Sequence, residues 1–424
     1  MWTLDLQRSI TTNLSLDIAY VGNHGTKLLG LTDLNQPPVG AGWGLAADPA
    51  SPLFNCIGSP TLPGSGPGPT NCAPDPVREI AASPYGTKAP YLSYIDWLSN
   101  LGKSSYNALQ VTLTQRASHG LSFIAGYTYS HALDMSSDNW GAGFVSPINA
   151  ANVGSLYGNS MFDITHNLTL STTYQLPGRK GAAQMLEGWS LNSVVTLQSG
   201  MPWGVNDFTT DFSGTNEIGA SATEGEWWNF YGNPADFKST RAFLDSNGGG
   251  GGIPYFPGSC AADGTCTGLP GTAGNPATAT ANATCNAKAG ALGPAAIASL
   301  ATLGCYANGS SVLIPPAYGA LGNSGRNNFR GFPFYNWDLS ITKEFKFRER
   351  LTAQFRVEGF NILNRVNFSN VFGGPGGDQT YTDPTAAAGA SFGFRPQTPD
   401  ITSSNPTLGA GGPRALQLGL KLIF

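Results

Sequence analysis

Histidine and cysteine carry much of the acid–base, metal and redox chemistry of proteins, and this chain has four of the first and six of the second. The histidines stand at 24, 119, 131 and 166, the cysteines at 56, 72, 260, 266, 285 and 305. His131 with Asp134 offers one base or metal contact, although a turn histidine of this kind is usually structural. No HExxH, GxSxG or phosphate-loop pattern accompanies them, so the common hydrolytic and nucleotide chemistries lack their residues. The stretch GSGPGP at 64–69 lacks the strand-to-helix setting of a dinucleotide site. No catalysis, metal or cofactor is expected.

All six cysteines lie in Gly/Pro-rich stretches outside any segment of strand character. An even count confined to loops suits an oxidising compartment. No CxxC occurs and no histidine stands beside a cysteine, which weighs against zinc. Six cysteines permit 15 connectivities, of which loop proximity favours Cys56–Cys72, Cys260–Cys266 and Cys285–Cys305.

Two further groups are candidates for binding. Trp227, Trp228, Phe230 and Tyr231, around Asn229, form a cluster suited to stack on a sugar or grip an apolar ligand. Their alternative role is to pack the surrounding loop onto itself or onto a rim. Asp338, Glu344, Arg356 and Glu358 fall between apolar residues, where they would pair with one another or tune a polar interior. The net charge of -4 supplies no basic patch, so nucleic acid is not an expected partner.

The elements that must position these groups are strands. In the last eleven residues Leu416, Leu418, Leu420, Leu422 and Phe424 take every second place, with Gln417, Gly419 and Lys421 between them. Side chains of an extended chain alternate between faces, so this segment is greasy on one side only. The same period marks eight more segments, around Trp2–Leu6, Leu14–Tyr20, Leu109–Leu113, Leu121–Tyr129, Leu168–Tyr174, Trp189–Leu197, Trp337–Phe345 and Leu351–Val357. Only 11% of the 424 residues are charged, against about 25% in a soluble domain. No run approaches the roughly 18 apolar residues of a membrane helix, and mean hydropathy is only -0.12. A closed sheet is the other way to satisfy the backbone in lipid. The reading is an all-β, antiparallel transmembrane barrel segment of about nine strands.

Loop lengths alternate as the strands do. Short turns such as Ser118-His119-Gly120 join strands within a pair, and long connections over about 24–103, 135–160, 201–334 and 365–412 join the pairs. Outer-membrane barrels place short turns in the periplasm and long loops outside. Trp189, Phe345 and Phe424 then fall at the periplasmic interface, and Tyr127, Tyr129 and Trp337 at the outer one. Lys343 interrupts the outward row of its strand: near a membrane edge its ammonium could snorkel to the headgroups, whereas at mid-membrane it would cost about 2–4 kcal/mol. Within 201–334, Gly248–Gly252 predict a hinge and 295–303 a short helix. An odd strand count beginning outside the cell, with no signal peptide ahead of Trp2, predicts an incomplete barrel, unless a strand hides in a long loop.

Several stretches resemble the barrel of Oar-like TonB-dependent receptors. They are LSLDIAYVGNHGTKLL at 14–29, SYNALQVTLTQRASHGLSFIAGYTYSHALD at 105–134, FYNWDLSITKEF at 334–345 and LTAQFRVEGFNILNRVNF at 351–368. The aromatic terminal strand is similar to the signal that barrel-assembly machinery reads. The resemblance implies outer-membrane location, a barrel of about 22 strands, an amino-terminal plug and energy coupling through TonB. The 424 residues include no plug, no TonB contact segment and fewer than half those strands. The implied partners are outer-membrane lipid, the assembly machinery, an extracellular ligand and, through an amino-terminal region beyond this chain, the TonB system. An adhesive surface protein acting through its loops is the alternative, and a barrel enzyme a distant third.

Overall fold

The computed structural model describes residues 1–43, 74, 76–137, 147–179, 184–217, 225–238, 240–241, 253–258, 268–269, 276–347, 351–368, 381–382, 394–395 and 412–424. Nine long strands form one antiparallel sheet in sequence order. They are β1 (Trp2–Ser9), β2 (Leu14–Asp33), β3 (Asp96–Ser118), β4 (Leu121–Asp134) and β5 (His166–Gln175). They continue as β6 (Trp189–Gln198), β7 (Phe334–Phe347), β8 (Leu351–Phe360) and β9 (Ala415–Ile423). A two-residue strand, Gly158–Asn159, also pairs with the end of β4. Each of the nine period-two segments of the sequence is one of these strands. The sheet is open, since β1 and β9 each pair on one side only among the described residues.

The register keeps most rows of the two faces chemically distinct, although Ile124 and Val194 are exposed apolar residues in the Ser171 row of the polar face. One row runs Leu16–Leu113–Ala125–Leu170–Val195–Trp337 across β2 to β7. Another runs Ile341–Val357–Leu418 across β7 to β9. On the opposite face stand Asp17–Thr112–Gly126–Thr169–Thr196–Asn336 and Ser340–Glu358–Gln417. A one-residue slip in any pairing would put the polar row on the greasy side. The apolar face is exposed, with Leu416 and Leu418 at 75% and 79%, as a lipid-facing wall requires.

The short connections are tight. His119 and Gly120 join β3 to β4 with φ of 51° and 83°, the doubly left-handed turn whose twist suits a hairpin. A Cβ on Gly120 would stand 2.3 Å from the Gln175 carbonyl oxygen, so only glycine fits. The β5–β6 connection is longer, and Lys343 explains how it is held. Its ammonium donates to the carbonyls of Gln184 and Glu187 and lies over the Trp189 and Phe345 rings. Lys343 is buried, so its ammonium is held by the β5–β6 connection instead of extending towards headgroups.

Two differences from the sequence reading concern the long loops. Pairing of β2 with β3 continues past His24 to Asp33↔Asp96, so both ends of the 24–103 stretch are strand. A register shift beside Lys27, whose φ is 57°, breaks the alternation there and hides the extension. The 201–334 stretch folds into a lobe with its own core rather than forming a plain loop. Its core holds Trp203, Phe212, Trp228, Phe237, Leu313 and Phe329, joined by Trp43 from the first long loop. Helix α1 (Pro76–Ala82) belongs to that first loop, while α2 (Pro276–Leu292) and α3 (Pro294–Leu303) belong to the lobe. Helix α3 stands where 295–303 predicts it. Among the described residues no helix is long and apolar enough to cross a membrane. The glycine run 248–252 lies outside the described residues.

Candidate functional site

The outer ends of the strands carry the lobe, and polar side chains fasten it there. Arg326 pairs with Asp134 at the end of β4 and donates to Ser137 Oγ at 2.8 Å. Arg330 pairs with Asp163, whose other oxygen accepts from the Ala132 amide at 2.7 Å. Asn159 and Asn327 exchange side-chain to carbonyl bonds of 3.0 and 2.8 Å. Arg326 and Asp163 are almost wholly buried, and removing one member of such a pair leaves an uncompensated charge. His131 approaches Asp163 at 3.4 Å, whereas Asp134 is taken by Arg326. The His131–Asp134 reading therefore gives way to two arginine–aspartate clamps.

The first long loop grips the lobe from the other side. Gln36 donates to Glu217 Oε1 at 2.9 Å and accepts from the Ala150 amide at 2.6 Å, tying three loops together. Tyr94 donates its hydroxyl to the Asn216 carbonyl at 2.8 Å. Trp43 stacks on Tyr318 with centroids 4.6 Å apart and donates its indole N–H to the Asp211 carbonyl. Burial pushes the Glu217 carboxyl up to about 8, with Asp33 and Asp96 adding to the rise. Burial also pushes Glu226 well above the usual carboxylate range; its oxygens accept from the Ser213 amide and hydroxyl.

The aromatic cluster divides on folding. Trp228 is wholly buried, its indole N–H donated to Asp207 Oδ2 at 3.0 Å. Phe230 meets Phe237 and Phe329 edge-on, each at 5.0 Å, and Tyr231 lies under the Lys288 ammonium. Trp227 alone of the four lines a cleft, of about 190 Å³, with Asn149, Asn152, Ser155 and Leu156 opposite. Cys285 and Cys305 are joined by a disulfide that ties α2 to the strand after α3. Cys56, Cys72, Cys260 and Cys266 lie outside the described residues.

The lumenal wall is the second candidate surface. Asp338, Ser340, Thr342, Arg356 and Glu358 line a concavity of about 520 Å³ on the polar face. Arg356 pairs with Glu358 along its own strand, and Gln354 donates to Glu344 at 3.0 Å across to β7. At its outer end Asp338 accepts the Asn361 amide at 2.8 Å, while the Asn361 side chain bonds the Arg365 and Gly412 carbonyls. Asn367 bonds both backbone groups of Tyr335. The asparagines of NILNRVNF thus clip the ends of β7, β8 and β9 at the outer rim. Among the described residues no group of histidine, cysteine or acidic side chains has the geometry to hold a metal.

The sequence showed the lumenal charges through their alternation but not the clamps. Arg326 and Asp134 are 192 residues apart, and no local pattern joins them.

Among solved structures, similarity extends to the outer membrane transporter YddB of Escherichia coli, at 8% identity with a TM-score of 0.35. The ferripyoverdine receptor of Pseudomonas aeruginosa matches at 9% and 0.34, and the ferric citrate transporter FecA at 10% and 0.31. Each alignment covers 99% of this chain but only 32%, 26% and 30% of those proteins. No curated protein matches. The family model described as "Outer membrane beta barrel domain" matches residues 1–396. With one apolar and one polar face held in register over nine strands, the chain belongs to that outer-membrane β-barrel family.

Proposed function

We propose that these strands are the barrel portion of an Oar-like TonB-dependent receptor, moving a solute across the outer membrane together with a plug and further strands. The observation that carries this reading is the open sheet. A wall with one lipid face cannot end in free N–H and C=O groups inside hydrocarbon, so β1 and β9 need partner strands. The lumenal charges Asp338, Glu344, Arg356 and Glu358 would then face plug or solute. Leu416, Leu418, Leu420, Leu422 and Phe424 would serve as the signal read by the assembly machinery. Energy coupling would come from the TonB system through the amino-terminal region, and the reading includes no catalytic step, metal or cofactor. The reading frame upstream of residue 1 should encode a plug and additional strands. An unrelated gene there, with stable insertion of the 424 residues alone, would overturn the proposal.

The folded lobe favours a second reading, adhesion to a partner outside the cell. Trp227 and its cleft are the binding element in that case, as they would be for a transported ligand. Trp227→Ala separates the two: loss of cell contact with uptake unchanged supports adhesion, and loss of uptake supports transport.

A further inference from the structure

On β2 to β5 the outward face turns polar and basic above one aromatic row, before the exposed Leu28, Leu29, Trp97 and Leu98 of the outermost β2–β3 extension. Across β2 to β5 that row reads Tyr20–Leu109–Tyr129–His166. The next row outward pairs Asn107 with His131, and the two after it pair His24 with Ser105 and Thr26 with Lys103. Because side chains alternate strictly, His166, His131, His24 and Lys103 all project from the lipid side of the wall. All four are exposed. Three of the chain's four histidines therefore share one strip on one rim, and His119 sits alone in the β3–β4 turn at the other.

Neighbouring groups aim this strip. Tyr127 OH lies 2.8 Å from His166 Nδ1, and with the phenol as donor the ring proton sits on Nε2. Tyr129 flanks the same ring at 5.2 Å, and Tyr20 donates to Asn107 at 2.7 Å. The carboxylate that His131 approaches, Asp163, is buried and paired with Arg330 as well, so it does not present acid to the lipid. Tyrosines at this depth mark the headgroup level of a bilayer. Cationic and N–H donors just above them meet the charged part of the lipid, where a basic side chain near an anionic surface is attracted.

We propose that His24, Lys103, His131 and His166 form a contact strip for the phosphate groups of phosphorylated glycolipid headgroups in the outer leaflet. Lys103 supplies the fixed charge and the imidazoles supply directed donors. The strip rests on the outer-membrane orientation of the sheet, not on any transport role, so it stands or falls separately from the receptor reading.

The test uses the full chain extracted in detergent from outer membranes, with retained lipid counted by native mass spectrometry. Three probes are added: diphosphoryl lipid A, the same lipid dephosphorylated, and inorganic phosphate. Diphosphoryl lipid A should be retained, and the combined variant His24→Asn, Lys103→Gln, His131→Asn and His166→Asn should hold it about tenfold more weakly. His119→Asn, at the far rim, should leave retention unchanged. Lys103→Glu alone should lower retention, which keeps the test decisive if the fourfold variant fails to insert. Equal retention of the dephosphorylated lipid, no loss in Lys103→Glu, or displacement by inorganic phosphate alone would each overturn the proposal.

Discussion

The sheet and the outer lobe obey one rule in two solvents. In the sheet, Leu416, Leu418 and Leu420 point outward and stay exposed, because the solvent they meet is hydrocarbon. In the lobe, Trp203, Phe212 and Trp228 are wholly buried, because the solvent there is water. The sheet is held by ladder hydrogen bonds that lipid cannot replace, and the lobe by a packed core, a disulfide and buried ion pairs. Alternation alone suffices for the first, whereas the second needs distant segments to meet.

The largest expected effect comes from emptying the lobe core. Trp228→Ala removes a wholly buried indole and leaves Asp207 Oδ2 without that donor. It should destabilise the lobe by about 3–5 kcal/mol, read as early exposure of 201–334 to protease. The folded sheet should keep its heat-modifiable gel mobility. Loss of both together would show that lobe and sheet unfold as one unit and would dissolve the comparison.

The mirror experiment probes the wall. Leu170 and Ser171 are neighbours on β5 with opposite faces: Leu170 pairs Ala125 and Val195, Ser171 pairs Ile124 and Val194. Leu170→Arg puts a guanidinium into mid-membrane and should cost about 2–4 kcal/mol of folding stability in lipid. Ser171→Arg faces the lumen and should change stability little. Equal losses in urea titrations of vesicle-folded protein would mean that the face assignment is wrong.

The same contrast decides what the sequence could reveal. A lipid-facing row repeats every second residue, so Leu351, Ala353, Phe355 and Val357 disclose β8 and its inward residues at once. Lys343 stands out in its row, but its carbonyl partners Gln184 and Glu187 lie 159 and 156 residues away and leave no local sign. The lobe leaves no such trace. Helix α2 buries Asn282, Cys285 and Ala289, a proper helical stripe made of polar and small residues that carries no apolar signal. Trp43 reaches its stacking partner Tyr318 across most of the chain. Trp227 and Trp228 are adjacent and alike in composition, yet one lines a cleft and the other fills the core. That division depends on pairings far from both.

A smaller effect should follow from opening the Cys285–Cys305 bridge. It closes a loop of 20 residues, which on chain-entropy grounds is worth about 3 kcal/mol. The double variant Cys285→Ser, Cys305→Ser should speed proteolysis between α2 and the following strand without altering insertion of the sheet. Unchanged proteolysis would mean that the helices are held by packing alone.

The smallest effect at neutral pH concerns Glu217, where the first loop meets the lobe. Burial holds its carboxyl at about 8 against an ordinary value of 4.5, so the docked lobe binds a proton that the detached loop releases. Such a group adds stability in full below about pH 4.5, and that contribution is lost as the pH rises through 8. By pH 7 most of it is already gone, because the detached loop ionises from about pH 4.5; above pH 8 a charge is buried beside Asp33 and Asp96, opposite the Gln36 amide. Lobe melting temperature should therefore fall between about pH 4.5 and 8 and level off above that, and Glu217→Gln should flatten that slope while keeping the contact with Gln36. The sheet has no part in this proton, so its own stability should not follow the same curve. A lobe whose melting rises with pH over that range, or a slope unchanged in the glutamine variant, would place the proton on another group and leave the Gln36 contact as an ordinary polar bond.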